Sequence, residues 1–468
     1  MSNWDMESGL AMSDGTEYEL DRLLERIRER RAVVGVIGLG YVGLPLATEF
    51  ARAGFHVIGF DVDTARVAAL NAGICHIPDV DGGLLRTLVE TGAFEATDDF
   101  DRLAGVDTVS ICVPTPLRKT KDPDISFVVD AAEAVARHLH RGQLVVLEST
   151  TFPGTTDELV QPLLERRGMR VGSDIFLAFS PERIDPGNTR YTLRNTPKVI
   201  GGVTEECTRL AEALYGSVVE QVVKVSSPRV AELVKLLENT FRAVNIGMAN
   251  ELALIANVLG VDVWEVIQAA ATKPFGFVPF YPGPGLGGHC IPVDPHYLAW
   301  KLRSLNYRAR FVELASEVNG EMPGFVVEQV TQALNEQRKC LNGARVLVLG
   351  AAYKRDVSDV RESPALEILE MLLARHAEVS YVDSYVPRLQ LEHETLQATP
   401  LTDESLRAAD CVVIVTDHTN VDYERVVRLA SLVVDTRNAT GHLADADHVW
   451  RLVRPARKTA QMERIVTT

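Results

Sequence analysis

The residues of this chain best equipped for chemistry lie in one loop, YPGPGLGGHCIPVDPHYLAW, where Cys290 follows four glycines interleaved with two prolines. Glycine has no Cβ, so such a loop lets backbone come close to a ligand. Cysteine is intrinsically the best side-chain nucleophile near neutral pH, and Asp294, four residues on, could hold a water or a lysine. An isolated cysteine is more often a small buried hydrophobe; the surrounding glycines are what favour a nucleophile at Cys290. A second chemical segment is VVGVIGLGYVGLP, a strand-like run followed by Gly38-x-Gly40-x-x-Gly43 and a helical pattern. Gly38 permits the tight turn, Gly40 lets backbone approach a pyrophosphate, and Gly43 lets helix and strand pack closely. The helix N-terminus then offers donors and positive potential to the phosphates. Asp61, about 20 residues further on, can accept both hydroxyls of a ribose. Its charge would repel a 2′-phosphate, so NAD is the expected cofactor. Arg66, one helical turn later, either offsets that repulsion in part or is an ordinary solvated helix residue.

Positioning these residues takes a regular framework, and the sequence supplies one. Strand patterns at Val33–Ile37, His56–Phe60, Thr108–Val113, Leu144–Glu148 and Ile175–Phe179 alternate with helical segments, the first at Leu44–Ala53. That alternation predicts a parallel sheet with helices on both faces. Val230–Leu259 reads as one long helix interrupted only by Gly247, a connector between domains and a dimer surface. The Pro- and Gly-rich stretch Lys273–Pro295 follows. A shorter alternation then begins, with strands at Arg345–Leu349, Glu378–Val382, Cys411–Val415 and Leu432–Asp435 and a helix at Pro364–Arg375. The expected fold class is therefore α/β, with two Rossmann-like doubly wound parallel-sheet domains joined by a long central helix. Ahead of the first sheet, YELDRLLERIRERR reads as a solvated helix that packs on a partner subunit through Leu20, Leu24 and Ile27.

Composition narrows the classes. At 468 residues the chain is too long for one ordinary core. A net charge of −16 argues against nucleic-acid binding, which needs a basic footprint. No apolar run reaches membrane-spanning length, and the acidic, polar first thirty residues do not resemble a secretory signal, so a cytoplasmic protein without membrane insertion is expected. Six scattered cysteines without a C-x-x-C pair predict free thiols and no metal site.

Three separated motifs carry a family resemblance. The opening GVIGLGYVGLPLA, the Gly-Gly-x-Cys-x-Pro-x-Asp loop and the segment GAAYKRDVSDVRESPA together resemble the UDP-glucose/GDP-mannose dehydrogenase family from about Val33 to Arg437. The resemblance implies NAD-dependent four-electron oxidation of a nucleotide sugar's primary alcohol to a carboxylate. With the alternation it implies an NAD-binding domain over 32–228, a helical connector and dimerisation region with the catalytic loop over 229–322, and a UDP-sugar-binding domain over 323–468; residues 1–31 read as an N-terminal helical extension ahead of them. Cys290 matches the nucleophile and Asp294 the aspartate beside it. Lys235 and Asn239, one turn apart in VAELVKLLENTFRAVNI, match a lysine and an asparagine that stabilise an oxyanion. Thr151 in LESTTFPG matches the threonine that positions water, and Glu182 in FSPERIDPGN an acid–base glutamate. Tyr41, Val42, Thr115 and Arg361 join the cofactor set. Lys273, Phe280, Tyr281, Gly287, Lys354 and Arg437, with Glu182, Lys235 and Asn239, form the expected substrate set. A UDP-sugar is the small-molecule partner, and a homodimer or higher homo-oligomer the assembly.

The sequence also departs from the family's pattern. Pro186 replaces a second glutamate, with Asp185 the nearby candidate, and Pro274 replaces an arginine, with Lys273 one position off. His289 and Val293 stand where glucose-oxidising members carry serine or tyrosine and lysine. Together these favour the branch acting on N-acetylated UDP-sugars, with UDP-N-acetylglucosamine first, then the galactosamine and mannosamine analogues, then UDP-glucose. Surface polysaccharide synthesis is the implied use. Two other readings stand beside this one: a two-electron β-hydroxyacid-type dehydrogenase, and a non-catalytic NAD-binding scaffold.

Overall fold

The computed structural model describes residues 14–77, 80–118, 120, 122–185, 188, 190–444 and 446–453. Residues 1–13 of the expected N-terminal extension, Pro186, and 454–468 of the expected UDP-sugar domain lie outside the described residues. The chain divides into two compact units, residues 1–238 and 239–468.

The first unit is built on eight strands: β1 (Val33–Ile37), β2 (His56–Phe60), β3 (Phe94–Thr97), β4 (Thr108–Ile111), β5 (Leu144–Leu147), β6 (Phe176–Phe179), β7 (Lys198–Gly202) and β8 (Val222–Lys224). Their spatial order is β3-β2-β1-β4-β5-β6-β7-β8. All neighbours run parallel except β6 and β7. Strands β4, β5 and β6 are buried at every residue, as a sheet covered on both faces requires. The order reverses direction between β1 and β4, and ligands of such sheets bind at that switch point, beyond the carboxyl ends of the strands. Of the predicted strands, β1 and β2 have the expected ends and β4, β5 and β6 are one or two residues shorter; β3, β7 and β8 were not anticipated.

Helix Asp14–Arg28 corrects one expectation. Leu20, Leu24 and Ile27 are all buried, in the same core as the helix Glu205–Tyr215 that flanks the sheet. Their i, i+4, i+7 spacing makes an apolar stripe, and the chain buries that stripe against itself, so no partner subunit is needed to cover it. Arg26 fastens the helix through its 2.6 Å bond to Asp107 Oδ2.

The second unit holds β9 (Arg345–Leu349), β10 (Glu378–Val382), β11 (Arg388–Gln390), β12 (Thr395–Gln397), β13 (Cys411–Ile414), β14 (Val433–Asp435) and β15 (Val449–Arg451). Five of these form a parallel sheet in the order β10-β9-β13-β14-β15, and β11 and β12 form a separate antiparallel pair. This is the other common doubly wound order. The predicted long helix is present as Pro228–Leu259, 32 residues, and the boundary between the units falls within it. Glu232, Lys235 and Asn250 are buried and Asn239 is half-buried, whereas Leu233, Leu237, Phe241, Met248 and Ile255 are exposed. At about 100° per residue these two sets lie on opposite sides of the helix.

Candidate active site

In the first unit the glycines build a cradle. Gly38 follows β1 with φ +90°, and a Cβ there would stand 2.6 Å from the Cys112 carbonyl oxygen. A Cβ on Gly43 would fall 1.8 Å from the Gly38 oxygen, so only glycine allows this crossing of helix over strand. A Cβ on Gly40 would meet nothing within 4 Å: backbone there faces open space, as a pyrophosphate requires. The helix Gly43–Arg52 has no side-chain cap; Leu44 N and Leu46 N donate to the Gly40 and Val42 carbonyls and Pro45 has no N–H, so the helix start offers an anion chiefly its positive end. Tyr41 is exposed, Val42 half-buried and Thr115 buried. Asp61, 4% exposed at the end of β2, accepts from Leu39 N at 2.9 Å and from Arg66 Nη1 at 2.8 Å. Arg66 is thus tied to Asp61, and of its two expected roles, partial offset of the acid's charge or a solvated helix residue, the geometry matches the first. The glycine cradle, the helix start and the buried acid fit a dinucleotide.

Asp383, just past β10, occupies the corresponding place in the second unit. It accepts from Ala351 N and Ala352 N, and from His418 Nε2 at 3.0 Å. Although burial opposes charge there, the bonds from His418 and the backbone hold its carboxyl down at about 2. Like Asp61, that acid is buried and engaged by backbone N–H groups and one basic side chain.

Thr151 lies in the loop after β5, 1% exposed, and its Oγ1 has no hydrogen-bond partner among the described residues. An orphaned buried hydroxyl costs about 1–3 kcal/mol and marks a place for a water or ligand atom. The same loop is held by Glu232, which accepts from Gly154 N at 2.6 Å, Thr156 N at 2.9 Å and Thr156 Oγ1 at 2.7 Å. Burial pushes the Glu232 carboxyl up to about 7 against the pull of those bonds. Lys235, one turn along the helix, donates to the Glu182 carbonyl oxygen at 2.6 Å.

The second unit carries the cysteine loop. Gly283 N donates to Asn250 Oδ1 at 2.9 Å, and Asn250 Nδ2 donates to Asn319 Oδ1 at 2.8 Å. Gly288 N donates to the Arg361 carbonyl at 3.1 Å and Asp294 N to the Cys290 carbonyl at 2.8 Å. The loop is therefore fastened on both sides of the half-buried thiol. His289 Nδ1 lies 3.8 Å from Cys290 Sγ. Asp294 is 3% exposed and accepts from Asn239 Nδ2, so the asparagine reads the aspartate while Lys235 reads the Glu182 backbone. Burial raises the thiols of Cys75, Cys112, Cys207 and Cys411, which suits inert cysteines.

The expected substrate residues are more dispersed. Arg437 donates from Nε to the Val415 carbonyl at 2.8 Å, and a Cβ on Gly283 would sit 2.9 Å from its Nη1. Burial pushes its guanidinium below its ordinary value. Gly287 packs against Tyr353, where a Cβ would come within 2.8 Å; Lys354, next in the chain, is half-buried. Arg361 is paired with Asp359, its Nη2 at 2.6 Å. Phe280 meets Phe241 edge-on, Tyr281 stacks on Trp264 at 5.8 Å, and Lys273 is exposed with its ammonium over Phe275. Sequence reasoning missed Glu148, Lys198, Tyr215, Glu232, Asn250 and Asn319. The available signal was a carboxylate just past a parallel strand (Glu148) and a lysine opening an apolar one (Lys198); lone asparagines on long helices carry none. Among the described residues there is no cluster of three or more potential metal ligands, and no helix is long and apolar enough to cross a membrane.

A dinucleotide cradle with an acid at the ribose position, on the first of two doubly wound sheets, defines an NAD-dependent oxidoreductase. The chain belongs to the UDP-glucose/GDP-mannose dehydrogenase family: that family's NAD binding domain matches residues 32–219, its central domain 229–321 and its UDP binding domain 347–442. As such it is a nucleotide-sugar dehydrogenase acting on a CH–OH group. It is 37% identical over 401 residues to the UDP-N-acetyl-D-glucosamine 6-dehydrogenase of Pseudomonas aeruginosa, spanning 85% of this chain and 93% of the relative. To the NDP-N-acetyl-D-galactosaminuronic acid dehydrogenase of Ralstonia nicotianae it is 37% identical over 416 residues, 86% and 95% of the two chains. The solved structure of UDP-D-ManNAc dehydrogenase from Pyrococcus horikoshii matches with a TM-score of 0.82 at 36% identity, over 90% of this chain and 99% of that one.

Proposed function

We propose that the chain oxidises the C6 hydroxymethyl group of a UDP-N-acetylhexosamine, UDP-N-acetylglucosamine foremost, to the carboxylate. The observation that carries this reading is the loop around Cys290, whose backbone is anchored at Gly283, Gly288 and Asp294 so that a thiol is presented beside backbone stripped of Cβ atoms. NAD, held by the Gly38–Gly43 turn and Asp61, supplies the hydride acceptor for both oxidation stages. Asp294 takes the alcohol proton, directly or through water. Cys290 Sγ then bonds to the aldehyde carbon as its S–H bond breaks and the proton leaves to water, and the carbonyl electron pair moves to oxygen, where Lys235 and Asn239 donate. After the second oxidation, water at Thr151 adds to the resulting thioester with Glu182 receiving its proton. The carbon–sulfur bond breaks and its pair returns to sulfur. Lys354 and Arg437 meet the diphosphate.

The N-acetyl assignment is supported by Val293, 7% exposed where glucose-oxidising members carry lysine, and by relatives whose names specify N-acetylated sugars. The exposed apolar side of the long helix supports a homodimer through that helix, and six scattered cysteines without a C-x-x-C pair support a cytoplasmic location. NADH formation against a panel of UDP- and GDP-sugars tests the whole reading: two NADH per sugar without free aldehyde are expected. One NADH with an aldehyde product refutes the role of Cys290. UDP-glucose turned over as efficiently as UDP-N-acetylglucosamine refutes the sugar assignment alone, since one acetamido contact should give roughly 10- to 200-fold in kcat/KM.

A further inference from the structure

A chain of buried polar side chains leads through the first unit to Glu182, and the nucleotide cradle accounts for none of it. Ser110 Oγ on β4 lies 3.0 Å from the Tyr215 hydroxyl, which donates to Glu148 Oε1. Glu148 Oε2 accepts from Lys198 Nζ at 2.6 Å, and the same ammonium stands 3.4 Å from Glu182 Oε2. Ser110, Tyr215, Glu148 and Lys198 are no more than 4% exposed. Burial and the Glu148 charge raise the Tyr215 hydroxyl, so it stays a donor. Burial likewise raises the neighbouring thiol of Cys112. Lys198 keeps its proton: burial opposes the charge, but Glu148 and Glu182 together outweigh it.

A buried ion pair is a poor source of stability, because packed apolar side chains of similar volume do as well or better. The lysine must therefore be explained by what it holds. Glu182 Oε1 accepts from Arg183 N at 2.6 Å and Ile184 N at 2.5 Å, its Oε2 faces Lys198, and its carbonyl receives Lys235. With both oxygens engaged from the protein side, the carboxylate has one orientation.

We propose that Lys198, anchored by Glu148 and Tyr215, is a positioning residue that orients the Glu182 carboxylate for thioester hydrolysis. The inference rests on the reading that Glu182 takes part in that step. There, water oxygen bonds to the thioester carbon, its proton passes to Glu182, and the carbon–sulfur bond breaks with its pair returning to Cys290.

The test compares Lys198→Met, Lys198→Arg, Glu182→Gln and the double variant Glu148→Gln/Lys198→Met, which leaves no uncompensated buried Glu148. Steady-state kinetics with NAD and the preferred UDP-sugar are combined with intact-protein mass spectrometry after acid quench. Lys198→Met and the double variant should lose about 100-fold or more in kcat, the scale of one proton-transfer group, with KM changed by less than about threefold. A covalent sugar adduct should accumulate on Cys290 in both, and Lys198→Arg should recover much of the rate. A double variant that turns over at the parent rate without adduct overturns the inference and leaves Lys198 a packing residue. Glu182→Gln at the parent rate instead overturns the reading of Glu182, and the inference falls with it.

Discussion

Replacing Glu232 by glutamine should remove a pH dependence that the fold has built into the stability of this protein. Glu232 is fully buried, and its carboxyl is pushed from an ordinary value of 4.5 up to about 7. Between those values the folded chain keeps a proton that the unfolded chain has released, so stability falls as pH rises through that window. The contribution is fully present below the unfolded value and gone once pH passes the folded one. At 1.36 kcal/mol per pH unit the span corresponds to about 3 kcal/mol. Glutamine cannot titrate, but its NH2 group must face a donor where the carboxylate faced Gly154 N or Thr156 N, which costs about 1–3 kcal/mol at any pH. The variant should therefore be the less stable protein near about pH 5 and should gain on the parent by about 3 kcal/mol by about pH 8. Paired urea unfolding curves across that range measure the difference directly, because the other titrating groups cancel between the two proteins. Hydrogen exchange at Gly154 and Thr156 reports it locally. A parent–variant difference that stays constant with pH would falsify the account of Glu232 as a carboxyl destabilised by burial.

Other expectations follow from the same geometry. Asp61→Ala should narrow the preference for NAD over NADP in kcat/KM, since it removes the buried charge and frees Arg66 for a 2′-phosphate; an unchanged ratio places cofactor choice elsewhere. Cys290→Ala should abolish uronate formation while leaving UDP-sugar binding, read by calorimetry, nearly intact. Asn250→Leu strips partners from Gly283 N and Asn319 Oδ1 and should cost about 1–3 kcal/mol for each buried group left unsatisfied. It should also lower kcat, because the loop loses an anchor; parent-like denaturation and turnover would show that the loop holds its shape without it.

Much of the framework was legible because its signals are local. The alternation of apolar strands and helices located the strands β1, β2, β4, β5 and β6 to within a residue or two, and the glycine spacing at Gly38, Gly40 and Gly43 carried its own steric reason. Strands β7 and β8 escaped because β8 has only three residues, half-buried or exposed, and because β7 runs antiparallel to β6, breaking the parallel rhythm. The N-terminal helix was legible as a helix, but its partner was not. An apolar stripe says that something must cover it, and only the packing of Leu20, Leu24 and Ile27 showed that the cover is the chain's own helix Glu205–Tyr215.

The sequence by itself determined which chemistry this protein can attempt: a thiol in a glycine loop, a dinucleotide turn, and an acid spaced to meet a ribose. Residue type and short-range spacing suffice for these, since a glycine's missing Cβ and a cysteine's nucleophilicity belong to the residue. Tertiary structure alone decided which polar groups hold which others. Lys198 reaches Glu148 across 50 residues of sequence, Glu232 reaches Thr156 across 76 and Asn250 reaches Asn319 across 69. Such pairs leave no periodic trace, because a buried charge or amide is satisfied by whichever partner the fold brings to it, and that choice exists only once the sheet and helices are packed.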